Sequence, residues 1–224
     1  MAQGLFITST GAGCGKTWIT RGLARSVRRN SVRIAALKPI ETGCAPDPLD
    51  ALALSFASAE PELVHAKDFY RTASQLSPYG ATLEGAPEPA DLDRISARVR
   101  GIVSGYPVAA IEGVGGLMTP IDRTRSVADF AKVIGFPVLL VARDQPGVVN
   151  EVLMAVEVMR ARGLRLAAVV LNRHHAGADA TRATNRTILT QRLSAPVRVF
   201  PPSRDDDDAL ADSADSADLP SLVR

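Results

Sequence analysis

Short runs of Val, Ile, Leu and Ala recur along the chain, at "GLFIT" (4–8), "RIAALK" (33–38), "VAAIEG" (108–113), "PVLLVA" (137–142) and "AAVVLN" (167–172), with longer amphipathic stretches between them. This alternation constrains the fold more than any other feature. Strands separated by helices wind into βαβ units around a parallel sheet. Each run is almost continuously apolar, as suits strands covered on both faces. The expected architecture is α/β and three-layered, a mostly parallel central sheet flanked by helices. Helices are expected from about Thr17 to Arg29 and at "LDALALSFA" (49–57), "DLDRISARVRGIV" (91–103), "SVADFAKVI" (126–134), "NEVLMAVEVMRARG" (150–163) and "DATRATNRTILTQRL" (179–193).

Ligands of open parallel sheets bind outside the carboxyl ends of the strands, which directs attention to the segments after each run. They are "TSTGAGCGKT" (8–17), "KPIETG" (38–43), "EGVGGLMTPI" (112–121), "ARDQPGVVN" (142–150) and "NRHH" (172–175). In the first of these, Gly11, Gly13 and Gly15 let the backbone curl so that successive N–H groups point inward. Lys16 and Thr17 then open a helix whose N-terminus favours anions. That is the equipment a triphosphate needs, with Lys16 on the β- and γ-phosphates and the Thr17 hydroxyl on Mg²⁺. The count does not match the common loop G-x-x-x-x-G-K-[ST], because Thr10 falls where its first glycine belongs. A magnesium-nucleotide site also needs hard oxygen ligands, and Glu112, closing a buried apolar strand, is costly to bury without a cation. Asp47 and Asp50, after the second run, read as ligands or helix N-caps, and Lys38 as a second fixed cation or a surface lysine. His65, His174 and His175 show no metal-ligand spacing.

A chain of 224 residues can bury one sizeable core, and one domain over residues 1–203 is expected. Residues 204–224, "RDDDDALADSADSADLPSLVR", are acidic and poor in large apolar side chains, and the expectation is a flexible tail. The 26 basic and 24 acidic residues nearly cancel, which gives no footprint for nucleic acid or an anionic membrane. No run approaches a membrane span, and the start "MAQGLFITST" lacks a basic segment followed by an apolar one, so a cytoplasmic protein is expected. There Cys14 and Cys44 would remain thiols.

Taken in order, these segments resemble the dethiobiotin synthetase family, whose phosphate loop T-G-T-x-T-x-V-G-K-T has one more residue before G-K-T than the common loop. The longer spacing resolves the miscount. Thr8, Thr10, Gly15, Lys16 and Thr17 match, while Ser9 stands for the outer glycine, Ala12 for the second threonine and Cys14 for valine. "KPIETG" is similar to the family's K-P-V-x-[ST]-G, "LDALAL" to its D-A-L-A-L and "SPYGATLEG" (77–85) to its S-P-x-x-A-x-x-E-G. "EGVGGLMTPI" is similar to its E-G-A-G-G loop, "GVVN" (147–150) to its G-x-x-N, and "LNR" (171–173) falls where an asparagine recognises adenine. The matching segments run from residue 5 to about residue 202.

The resemblance implies a P-loop NTPase-like fold and an Mg²⁺-dependent cyclo-ligase of biotin biosynthesis. In that family 7,8-diaminononanoate captures CO₂ as a carbamate, ATP phosphorylates it, and the second amine expels phosphate. By the same resemblance Lys16 and Lys38 would hold the γ-phosphoryl group and the carbamate, and Thr17, Asp50 and Glu112 would coordinate Mg²⁺. Gly11, Ala12, Gly13, Cys14, Gly15, Asn172 and Pro201 would line the nucleotide. Thr10, Thr42, Gly115 and Gly116 would meet the substrate. The family's active sites lie at a homodimer interface, where Gly147 and Asn150 would help the partner chain hold the far carboxylate at a helix N-terminus, although Asn150 also suits a plain N-cap. Glu151 sets a negative charge beside that site. The alternatives are a partition or septum-positioning ATPase switch, whose early loop lysine is Gly11 here, and an amidating relative acting on cobyrinic acid.

Overall fold

All five apolar runs lie in one six-stranded sheet in the computed structural model, which describes residues 3–86, 89–173 and 181–223. The chain runs β1 (Gln3–Ser9), α1 (Lys16–Arg29), β2 (Ile34–Leu37), β3 (Ile40–Thr42), α2 (Leu49–Ser58), β4 (Tyr70–Thr72), α3 (Pro78–Leu83), α4 (Leu92–Val103) and β5 (Val108–Glu112). It continues through α5 (Val127–Ile134), β6 (Val138–Arg143), α6 (Val148–Arg162), β7 (Leu166–Asn172), α7 (Thr181–Arg192), β8 (Val197–Phe200) and α8 (Asp207–Ser216). The strand order is β2-β5-β1-β6-β7-β8, with every pairing parallel. The fold class is therefore the three-layer α/β architecture expected.

Alternation along the strands sorts the layers. Leu5 and Ile7 join a core with α1, α2 and α8, whereas Phe6, between them, faces α4 and α5 and meets the Phe130 ring edge-on at 5.2 Å. A third cluster packs Leu140, Ala142, Val169 and Leu171 against Val148 and Val152 of α6. Because β1 lies between β5 and β6, the chain leaves it toward β2 on one side and later crosses to β6 on the other. The crevice at that reversal receives the loops after β1 and β5.

Three strands lack the apolar continuity that marked the others. Edge strand β8 is only partly covered and carries Arg198. β3 and β4 are three residues each, interrupted by Glu41 and Arg71, and pair with one another in a separate two-stranded sheet. The helix placed at 150–163 begins earlier, at Val148, with Gly147 as its N-cap. His174 and His175, and the first residues of the helix placed at 179–193, lie outside the described residues.

The acidic stretch expected to be flexible is instead helical over Asp207–Ser216. Its aspartates face an arginine stripe on α1. Arg21 reaches Asp205 and Asp207, Arg25 reaches Asp208, and Arg29 reaches Asp208 and Asp212, at 2.6–3.2 Å. Pairs as exposed as Arg25–Asp208 and Arg29–Asp212 contribute little each. More comes from Leu210, Ala211 and Ala214, which are fully buried, and from Asp206, which caps the helix through the N–H groups of Asp208 and Ala209. Small alanines suit the close approach of two helices, and Gly22 of α1 sits at the contact: a Cβ there would come within 2.5 Å of the Leu210 carbonyl oxygen.

That contact fixes the sign of a substitution. A glycine in a free helix is about 0.5–1 kcal/mol worse than alanine, so Gly22→Ala would stabilise a chain whose tail were flexible. With α8 docked, the added methyl should cost about 1–3 kcal/mol, read as a lower midpoint in urea unfolding.

Candidate active site

Gly15, at the end of the loop after β1, is the N-cap of α1 with φ 90°, and Gly13 has φ 69°. Both conformations are ones side chains resist, so these glycines are what let the loop turn its N–H groups inward. Two side chains tie the loop to neighbouring strand ends: Asn172 donates through Nδ2 to the Cys14 carbonyl at 3.0 Å, and Arg143 donates to the Gly13 carbonyl at 2.7 Å. The Cys14 thiol is buried among apolar neighbours. Pro201 follows β8 and is half-buried.

Ser9 sits where the family has glycine and shows no left-handed backbone. Its Oγ lies 2.6 Å from the Gly11 carbonyl oxygen and accepts from Lys16 Nζ at 3.0 Å. The same ammonium donates to the Gly115 carbonyl at 2.7 Å, so Lys16 bridges the loops after β1 and β5. Burial, with the like charge of Lys38, holds its pKa below the ordinary lysine value. Gly115, at φ 58°, can adopt this turn because it has no Cβ to collide with Thr119, whose hydroxyl accepts from the Gly116 N–H at 2.8 Å.

The deepest charges meet at the ends of β2 and β5. Lys38 Nζ lies 2.5 Å from Glu112 Oε1 and 2.8 Å from Asp50 Oδ2, with the Lys38 and Glu112 side chains 4% and 0% exposed. Lys38 is thus no surface lysine. Burial disfavours its charge, but the two carboxylates more than offset this and raise its pKa above the ordinary value. Burial likewise opposes ionisation of Asp50, and Lys38 reverses the balance and lowers its pKa. The Thr17 hydroxyl donates to Glu112 Oε1 at 2.9 Å. Glu112 Oε2 is buried with no hydrogen-bond partner among the described residues. That orphaned oxygen, beside a second carboxylate and a hydroxyl, fits a hard divalent cation that keeps part of its water shell.

Asp50 is not a helix N-cap. Pro48 takes that position, and the N–H groups of Asp50 and Ala51 are bound by Glu41 of β3 at 2.8 and 3.0 Å. Glu41, missed in the sequence, therefore aims the start of α2, and burial raises its pKa. Asn150 is not an N-cap either, since it lies inside α6, exposed, with its amide against Met154 Sδ at 3.9 Å. Thr42 belongs to β3 in the small sheet, Asp47 is exposed, and so is His65.

Beside the phosphate loop opens a cavity of about 450 Å³, lined by Ser9, Thr10, Gly11, Ala12, Gly115, Gly116, Leu117, Met118 and Thr119, and from α6 by Glu151, Met154, Ala155 and Val158. Five residues expected at nucleotide or substrate, Thr10, Gly11, Ala12, Gly115 and Gly116, meet there. Thr42, Gly147 and Asn150 are not in its lining. Thr10 Oγ1 donates to Glu151 Oε2 at 2.9 Å, a contact between residues 141 apart in the chain that no local pattern announces. No described helix is long and apolar enough to cross a membrane.

A family model described as an AAA domain matches residues 3–200. The ATP-dependent dethiobiotin synthetase BioD of Anaeromyxobacter dehalogenans is 36% identical over 173 residues, 76% of this chain and 77% of that protein. Those of Acidiphilium cryptum and Aquifex aeolicus are 33% and 31% identical, over 87% and 84% of this chain and 91% and 83% of their own lengths. Among solved structures, the cell division ATPase MinD of Pyrococcus furiosus superimposes with a TM-score of 0.61 at 15% identity, covering 98% of this chain and 99% of that one. The signal recognition particle receptor FtsY of Elizabethkingia anophelis gives 0.57 at 14%, covering 96% of this chain and 65% of that one. These two likenesses concern the fold alone.

Proposed function

The chain belongs to the ATP-dependent dethiobiotin synthetase family, and on that premise we propose that it closes the ureido ring of dethiobiotin from 7,8-diaminononanoate, CO₂ and ATP, with Mg²⁺. One amine of the diamine takes up CO₂ and loses a proton, giving a carbamate. A carbamate oxygen attacks the γ-phosphorus and ADP leaves. The second amine then attacks the carbonyl carbon of the mixed anhydride and expels phosphate, closing the ring with loss of a proton.

The observation that carries this reading is the buried Lys38, held at 2.5 Å from Glu112 and 2.8 Å from Asp50 next to the phosphate loop. None of the three steps needs a protein nucleophile. They need anionic groups positioned and neutralised, which fixed cations in a water-poor site do well. Lys16 and Lys38 would hold the γ-phosphoryl group and the carbamate, and the N–H groups of residues 11–17 the remaining phosphates. Thr17, Asp50 and Glu112 would hold Mg²⁺, which when bound would neutralise phosphate oxygens. Asn172 and Pro201 would flank the adenine. Thr10, Thr42, Gly115 and Gly116 would meet the diamine, and Gly147 and Asn150 would face the substrate carboxylate of a partner in a cytoplasmic homodimer.

Coupling tests the proposal: purified protein with Mg·ATP and bicarbonate should release phosphate only when the diamine is added. Turnover without diamine that rises with DNA or lipid would instead indicate a switch ATPase, and turnover needing glutamine and a cobyrinic acid would indicate the amidating relative.

A further inference from the structure

The cavity beside the phosphate loop has one ionisable lining side chain, Glu151 of α6. Its remaining walls are apolar or hydroxylic, with Leu117, Met118, Met154, Ala155 and Val158 forming the apolar part. Glu151 is held in place by Thr10, whose Oγ1 donates to Oε2 at 2.9 Å. Its other oxygen, Oε1, accepts from no described residue.

An apolar wall accommodates a methylene chain, and a fixed carboxylate with a spare oxygen recognises an ammonium or amine while repelling an anion. We infer that Glu151 is a specificity-determining residue that receives the amine of the diamine not carried as carbamate. This inference rests on the ring-closing reading and extends it to the polarity of the substrate. The amine end lies against Thr10 and Glu151, the chain runs along Met154 and Val158, and the anionic end is turned away from α6 of the same protomer.

A purely structural Glu151 would be a first-turn glutamate that complements the helix dipole and orients Thr10. Binding measurements separate the two. Titration calorimetry of the Mg·ATP-bound protein with 7,8-diaminononanoate should show Glu151→Gln weakening the diamine about tenfold or more, with Glu151→Asp keeping part of the affinity. Nonanoate, which has the chain and carboxylate without amines, should bind the wild type and Glu151→Gln equally. If Glu151→Gln weakens both ligands alike, or neither, the inference is overturned. Diamine-dependent phosphate release is measured on the same wild-type preparation. Its absence removes the ring-closing reading, whereas its presence with unchanged diamine binding by Glu151→Gln removes only the role of Glu151.

Discussion

Lys38→Ala should abolish ring closure while leaving ATP bound near its wild-type affinity. The ammonium is paired with Glu112 and Asp50 beside the phosphate loop, whose own cation is Lys16, and its charge is fixed there by both carboxylates. Without it, the carbamate has lost its buried counter-charge, and turnover should fall by about 10²–10³-fold or more. The variant should also be less stable, because removing one partner of a buried ionic group strands the other. A fully buried stranded charge costs about 3–5 kcal/mol; Glu112, 0% exposed, bears that cost, whereas Asp50 is 41% exposed and can partly hydrate. Adding Mg²⁺ should recover part of the loss in melting temperature, since Thr17, Asp50 and Glu112 remain. Normal turnover by Lys38→Ala would remove Lys38 from the chemistry.

Lys16→Ala should be at least as damaging to turnover and differ in kind. Lys16 is the cation of the phosphate loop itself, bridging Ser9 and Gly115, so its loss should weaken ATP binding as well as the chemical step. A rise in KM for ATP together with a fall in kcat of about 10²–10³-fold is expected, against the ATP-neutral loss at Lys38. Its removal strands no acidic partner, since both described contacts of the ammonium are to neutral oxygens. Stability should therefore change less than in Lys38→Ala, and equal destabilisation of the two variants would contradict this distribution of charge.

Much of this site was legible in the sequence because its parts are local. The glycines of "GAGCGKT" act on their own backbone, and Glu112 announces itself as a charge ending an apolar strand, whereas spacing alone left Lys38 open between a buried cation and a surface lysine. What was not legible depends on contacts between distant segments. Glu151 meets Thr10 across 141 residues, and Glu41 supplies the cap of a helix in place of any residue of that helix. Ser9 stands where the family has glycine, and its hydroxyl anchors Lys16, which only the approach of Gly115 makes visible. The acidic tail misled for a related reason. Judged alone it cannot bury enough surface to order, but Arg21, Arg25 and Arg29 recur every four residues on α1 and are the partners its aspartates need. Strands β3 and β4 escaped because three residues interrupted by a charge carry no periodicity to read.

The central claim is that the phosphate released from ATP is the leaving group of a ring closure on a carbamate. The most direct measurement supplies ¹³C-labelled bicarbonate with Mg·ATP and 7,8-diaminononanoate, then follows the label by mass spectrometry alongside ADP. The account predicts one labelled carbon in each dethiobiotin formed and one ADP for each. ADP formed without labelled product, at a rate indifferent to the diamine, would contradict it.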